Sequence, residues 1–180
     1  SPMKIKAGII GEIGCSWPLT KNERKILQAS AQAQNKTGAP ILIHPGRNEK
    51  APLEILNILE NEGASPDQII MSHMDRTFEK IESVLQFAQK GSYLEYDLFG
   101  WETSYYPLSP TYIPTDAKRL EFMKELIDNG FSEKLVIGQD IFSKHRLTKY
   151  GGQGYSHIIK NIIPRMKDEG FTDKTIQLIF

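Results

Sequence analysis

Ala39-Pro40-Ile41-Leu42-Ile43-His44-Pro45-Gly46-Arg47 is the stretch whose reading decides the fold. A short apolar run, rich in isoleucine and bounded by prolines, reads as a strand buried on both faces. It ends in a histidine and breaks at Pro45-Gly46. A second run has the same form: Gln68-Ile69-Ile70-Met71-Ser72-His73, breaking into Met74-Asp75-Arg76. Packing alone gives no reason for two strands each to end in a histidine.

Working outward, Lys6 to Gly14 reads as an earlier strand interrupted by Glu12, followed by capping-box spacing at Thr20-Lys21-Asn22-Glu23. A helix is expected from there to about Asn35, with Ile26, Leu27, Ala31 and Gln34 on one face. Further helices are expected over Ala51–Glu62, with Leu53, Leu56 and Leu59 inward, and over Thr77–Lys90, with Ile81, Val84, Leu85 and Ala88 on one side. Ser92–Asp97 reads as a fourth strand, Leu98–Pro114 as a long loop, and Asp116–Asn129 as a helix. Lys134–Asp140 reads as a fifth strand, with helices near Ser156–Glu169 and Thr172–Ile179. Strand and helix alternating at this spacing predict an α/β fold with a parallel sheet. The sheet closes either as an open doubly wound layer or as part of a (β/α)₈ barrel. No strand leads into a dinucleotide-binding glycine fingerprint, which weighs against the first.

Composition narrows the class. The chain has 180 residues, one domain's length, with 39% hydrophobic and 24% charged residues. Its 22 basic and 22 acidic residues cancel, so no electrostatic footprint for nucleic acid is expected. A single cysteine, Cys15, allows no internal disulfide and reads as a small buried hydrophobe. No apolar run is long enough to span a bilayer, and Ser1-Pro2-Met3-Lys4 does not begin a signal peptide, so a cytoplasmic protein with no membrane partner is expected.

The polar residues late in the strands are Glu12, His44, His73, Asp97 and Asp140. Parallel strands bring these ends to one rim. Imidazole nitrogens and carboxylate oxygens together suit zinc or manganese, and two metals a few ångström apart can activate water and polarise a carbonyl or phosphoryl group. A lone histidine at a strand end is usually an ordinary rim residue. Two of them, flanked by acids, make the metal reading the stronger. Glu12 points the same way, since a carboxylate in a buried strand is costly without a partner.

Gly11-Glu12-Ile13-Gly14-Cys15-Ser16-Trp17-Pro18, Ile43-His44-Pro45-Gly46, Ser72-His73-Met74-Asp75-Arg76-Thr77 and Gly138-Gln139-Asp140 occur in the order that resembles the phosphotriesterase-related proteins of the amidohydrolase superfamily. The resemblance covers nearly the whole chain. It implies a (β/α)₈ barrel with a binuclear centre, of which this chain is the C-terminal portion, about strands four to eight, with strands one to three missing. It implies that Glu12 bridges two zinc ions, that His44 and His73 bind the second, and that Asp140 is both ligand and proton acceptor. The implied activity is metal-dependent hydrolysis of an ester, lactone, amide or phosphoester of a small molecule, including N-acyl amides such as acyl taurines.

Two departures from the family pattern stand out. The proton-relay positions after strands six and seven hold Arg76 and Leu98. The His-x-His pair of the first strand is absent, the four histidines being His44, His73, His145 and His157. Little activity is therefore expected from these residues alone, and self-association through open barrel edges is expected, with Ile9, Ile41, Ile43, Ile70, Leu94 and Val136 as the bared inner face.

Arg47 and Arg76 follow the ligand histidines at the mouth of the site and suit an anionic substrate tail, or else pair with Asp75 and Glu49. His145 and His157 read as surface or loop residues. Gly151–Gly154 reads as a flexible lid. Tyr105, Tyr106 and Tyr112 either wall the pocket or pack their loop. The rival readings are a non-catalytic interaction protein keeping relics of the fold and a doubly wound oxidoreductase.

Overall fold

The computed structural model describes residues 7–180. The expected start of the first strand at Lys6, and the residues before it, lie outside them. Five strands, β1 (Ile10–Gly14), β2 (Ile41–His44), β3 (Ile69–Met71), β4 (Tyr93–Tyr96) and β5 (Leu135–Ile137), form one sheet in chain order. Every neighbouring pair is parallel. All the strand C-termini therefore share one rim, as the alternation predicts.

Residue alternation along the strands sorts the two faces of the sheet. Ile41, Ile43, Ile69, Met71, Leu94 and Tyr96 are buried and belong to the main core with helix residues such as Leu27, Leu56, Leu59 and Leu120. Leu42, Ile70, Glu95 and Val136 fall on the opposite face and are only half-buried. This corrects the expected inner face. Ile41, Ile43 and Leu94 point to the helices, Ile70 and Val136 away from them, and Ile9 precedes the strand and is exposed. A run that is apolar at every position hides this period of two.

The helices are α1 (Lys21–Thr37), α2 (Ala51–Asn61), α3 (Met74–Thr77), α4 (Ile81–Ala88), α5 (Asp116–Asp128), α6 (Ile163–Asp168) and α7 (Asp173–Ile179). Thr20 and Glu23 form the reciprocal capping box at the start of α1, and Glu23 also accepts from the Ser16 amide at 2.7 Å. One side chain thus starts the helix and fastens the loop leaving β1. Ile26 and Leu53, expected inward, are exposed, while Ile55 is fully buried. The helix expected over Thr77–Lys90 is broken. Phe78 is extended and packs its ring on Phe87, 5.7 Å between centroids, separating α3 from α4. Before α6 the chain makes a π turn, Ile158–Ile162, with the Ile163 amide bonding five residues back to Ile158. Pro164 has no amide to give, which favours such a widening.

The edge strand β1 is irregular, its register against β2 slipping between Ile10 and Ile13. Gly11 makes that possible. Its φ is +121°, and a Cβ there would lie 2.4 Å from the Leu42 carbonyl oxygen. The slip sits beside Glu12, which reaches the histidine of β2. Gly11→Ala should therefore lower stability by about 1–3 kcal/mol in urea titration. Gly14→Ala, which meets open space, should stay within about 0.5 kcal/mol.

Candidate metal centre

Glu12 on β1, His44 at the end of β2 and His73 immediately after β3 converge at the rim, with one ligand atom from each within 4.8 Å of the others. His73 Nε2 lies 2.8 Å from His44 Nδ1 and 3.2 Å from Glu12 Oε1, and His44 Nδ1 lies 3.3 Å from that oxygen. Ligands about 2.0–2.1 Å from a tetrahedral zinc are separated by about 3.3 Å. The triangle is close to one face of such a polyhedron, so the donor set fits a divalent metal.

His73 is aimed by Asp97. Its ring Nδ1 lies 2.9 Å from Asp97 Oδ1, and its backbone amide donates to the same oxygen at 3.1 Å. That leaves Nε2 for the cluster, the arrangement by which a carboxylate orients a metal-ligating imidazole. His73 also takes a left-handed backbone, φ 55°, as does Asp140 at φ 40°. Both residues stand where a non-glycine chain is strained, a cost that tends to be retained at functional sites. Asp97 was legible as a rim carboxylate. Its support of His73 was not, because the contact joins residues 24 apart in sequence.

Asp140 lines the same pocket without joining the three-residue cluster. Arg146 fixes its position by donating to the Asp140 carbonyl at 2.8 Å and to that of Phe99 at 3.2 Å. Glu12 is not buried as expected. It sits on the edge strand with 42% of its side chain exposed, and the two histidines are its partners.

Arg47 and Arg76 both line the pocket. Neither pairs with Asp75 or Glu49 among the described residues. Asp75 bonds Arg119 instead at 2.8 Å. Arg47 donates to the Tyr106 hydroxyl at 2.5 Å. Arg76, only 4% exposed, lies 3.0 Å from His44 Nε2 and donates to the Pro45 carbonyl at 3.2 Å, and its Nη1 is buried without a partner.

The remaining wall comes from Leu98, Trp101, Tyr106, Leu108 and Phe142, around a cavity of about 320 Å³. Of the three tyrosines in question, Tyr106 walls the pocket and Tyr105 is exposed. His157 is corrected: it is buried, bonded to Asp116 at 2.7 Å and to Asn161 at 2.8 Å. The Gly151–Gly154 loop is fastened rather than free, since the Gly154 amide donates to Arg146 and its carbonyl accepts from Gln139.

Electrostatics separates the two histidines. Burial disfavours the charged His73 ring, but the Asp97 and Glu12 carboxylates outweigh it and hold the pKa up at about 9. Burial, with the charges of His73 and Arg76, pushes His44 down to about 4. Hydrogen bonding to His73 is the main cause holding Glu12 low, and burial raises Asp140. Burial likewise pushes the Cys15 thiol up to about 12, in keeping with an inert thiol.

A family model described as the phosphotriesterase family matches residues 2–180. The chain belongs to the phosphotriesterase family. Among relatives, it is 52% identical to an N-acetyltaurine hydrolase of Mus musculus over 97% of this chain and 50% of that protein. A resiniferatoxin-binding protein from Rhodobacter sphaeroides superposes with a TM-score of 0.91 at 30% identity, over 99% of this chain and 49% of the other. The phosphotriesterase homology protein from Escherichia coli, crystallised with phosphate in its active site, superposes at 0.84 with 28% identity, over 99% and 58%. This phosphotriesterase-family chain thus spans about half the length of the curated relatives it matches, and its five parallel strands are a portion of the family's barrel. Among the described residues no helix is long and apolar enough to cross a membrane.

Metal binding to the family member should displace the His73 proton. Apparent zinc affinity is expected to rise about tenfold per pH unit from neutrality to about 9, where the proton is already gone, and then level off. Calorimetry in buffers of different ionisation enthalpy counts that proton. Asp97→Asn should weaken zinc binding about 10–100-fold.

Proposed function

We propose that this chain carries the catalytic rim of a metal-dependent hydrolase that cleaves small amides with an anionic tail, N-acyl aminosulfonates being the leading class. The observation that carries the reading is the Glu12–His44–His73 cluster beside two arginines, one of them buried without a carboxylate partner among the described residues. The name of the mouse relative supplies the substrate class.

In this reading Glu12, His44, His73 and Asp140 hold two divalent ions, zinc being the best match to the donor set. Such ions supply a nucleophile at neutral pH and polarise the scissile carbonyl. Asp140 accepts the proton of the attacking water and passes it to the departing amine nitrogen. Water oxygen bonds to the acyl carbon, the C–N bond breaks, and a carboxylate and an amine leave. Arg47 and Arg76 hold the anionic tail, bidentate recognition being what guanidinium groups offer a sulfonate or carboxylate. A buried cation such as Arg76 gains most from an anion, because its own desolvation is otherwise uncompensated.

The ligands gathered here are few for two metals, and β1 and β5 end the sheet with open edges. No more than trace turnover is expected from the chain by itself, together with self-association through those edges. In a polypeptide completed to the length of the relatives, hydrolysis of N-acyl aminosulfonates should appear and be lost on chelation. There, Arg76→Ala should raise KM for the anionic substrates about tenfold or more while leaving neutral esters nearly unchanged, since a charge-assisted hydrogen bond is worth about 1.5–3 kcal/mol. Equal effects on both classes would remove the anion-binding role.

A further inference from the structure

The chain after β5 folds back and closes a circuit around Asp140. Gln139 Nε2 donates to the Gly154 carbonyl at 2.7 Å, and the Gly154 amide donates to the Arg146 carbonyl at 2.9 Å. Arg146 Nη1 in turn donates to the Asp140 carbonyl at 2.8 Å. The bonds leave residue 139, pass through residues 154 and 146, and return to residue 140. The residue they enclose has a left-handed backbone, φ 40°. A non-glycine residue persists in that conformation only where its surroundings over-determine it. Here the surroundings are the circuit.

Arg146 can hold another residue because it is itself held. It is buried, its amide donates to the Ser143 carbonyl at 3.1 Å, and its Nη2 reaches the Phe99 carbonyl at 3.2 Å on the loop after β4. Gly152 approaches so closely that a Cβ on it would overlap the Arg146 carbonyl. The Gly151–Gly154 stretch therefore owes at least that glycine to close packing against the arginine rather than to the mobility of a lid. Both bonded guanidinium nitrogens are spent on carbonyls, and the Asp140 side chain is left on the pocket. A guanidinium paired with the carboxylate would compete with a cation for it. Bonding the carbonyl orients the residue without occupying its oxygens.

We infer that Gln139, Arg146 and Gly154 form a clamp that keeps the Asp140 backbone left-handed and its carboxylate on the pocket shared with Glu12, His44 and His73, which makes Arg146 a positioning residue for the metal centre. The inference rests on the reading of Asp140 as metal ligand and proton acceptor, and adds what keeps it in place. Without the clamp Asp140 returns to the ordinary backbone regions and its carboxylate swings away from the cluster. A displacement of about 1 Å at a reacting group can cost on the order of 10²-fold in rate.

Crystal structures of this chain, of Arg146→Ala and of Gln139→Ala test the clamp without metal or turnover. Asp140 should be left-handed in the parent, and in both variants its φ should turn negative and its carboxylate leave the pocket. Gln139→Ala opens the circuit without removing a buried cation, so it decides the matter where Arg146→Ala does not fold. An Asp140 unchanged in φ and placement in the variants that fold would overturn the clamp.

Zinc affinity tests what the clamp is for, measured by competition with a chromophoric chelator in the polypeptide completed to the length of the relatives. Arg146→Ala should weaken the looser zinc site about 10–100-fold, the scale on which partners of ligands act, and added guanidinium ion should restore part of the loss. In an Asp140→Ala background the same substitution should change the affinity less than about twofold, because residues acting through one ligand are not additive. Equal losses in both backgrounds would overturn the positioning role. Zinc affinity indifferent to Asp140→Ala would instead overturn Asp140 as a ligand, a failure of the earlier reading that is separate from a failure of the clamp.

Discussion

The Asp97–His73 contact is the constraint on which the site depends. A carboxylate and an imidazole are both taken out of water at the sheet rim, and each is tolerable there because the other is present. The bond does more than neutralise charge. It fixes which nitrogen of His73 faces β2, and through the backbone amide it holds the left-handed turn that swings His73 out of its strand and into α3. His44 and Glu12 then need only be brought up from neighbouring strands, which the parallel register does.

A second polar chain holds the loops that surround the cluster. Asp75 accepts from Arg119 and from the Leu98 amide, Arg119 reaches Asp116 and the Trp101 carbonyl, and Asp116 holds the Gly100 amide and His157. The Arg119 and Asp75 side chains are fully buried. Removing one member of such a pair strands the other in low dielectric, at about 3–5 kcal/mol. The reward is geometric. The long loop after β4 contributes Leu98, Trp101 and Tyr106 to the pocket from a backbone pinned at Leu98, Gly100 and Trp101, with a small cluster of Leu98, Tyr106 and Ile113 beneath.

Charge is distributed over the pocket with a consistent logic. Arg47 and Arg76 raise the cost of protonating His44, while Glu12 and Asp97 favour protonation of His73. Two imidazoles 2.8 Å apart between nitrogens are thereby held in different states, with one proton to displace when a cation binds. Neither arginine has a carboxylate partner in salt-bridge range among the described residues, Asp97 and Asp75 being engaged with His73 and Arg119.

Much of this was written in the chain. Alternating apolar runs and capped helices point to a parallel sheet, and that sheet brings Glu12, His44 and His73 together at one rim with Asp140 lining the same pocket, so these rim positions were legible from the strand pattern. The break between α3 and α4 and the separation of the two sheet faces were not. Uninterrupted apolar runs carry no mark of which side meets the helices, and the turn at His73 is enforced by Asp97 from another strand. Nor could the sequence show that His157 is buried against Asp116, or that Arg76 turns away from the adjacent Asp75 toward His44. Each of these is decided by partners dozens of residues away, which only the folded chain brings within hydrogen-bonding distance. Local pattern fixes where a side chain leaves the backbone, and tertiary packing alone fixes what it meets.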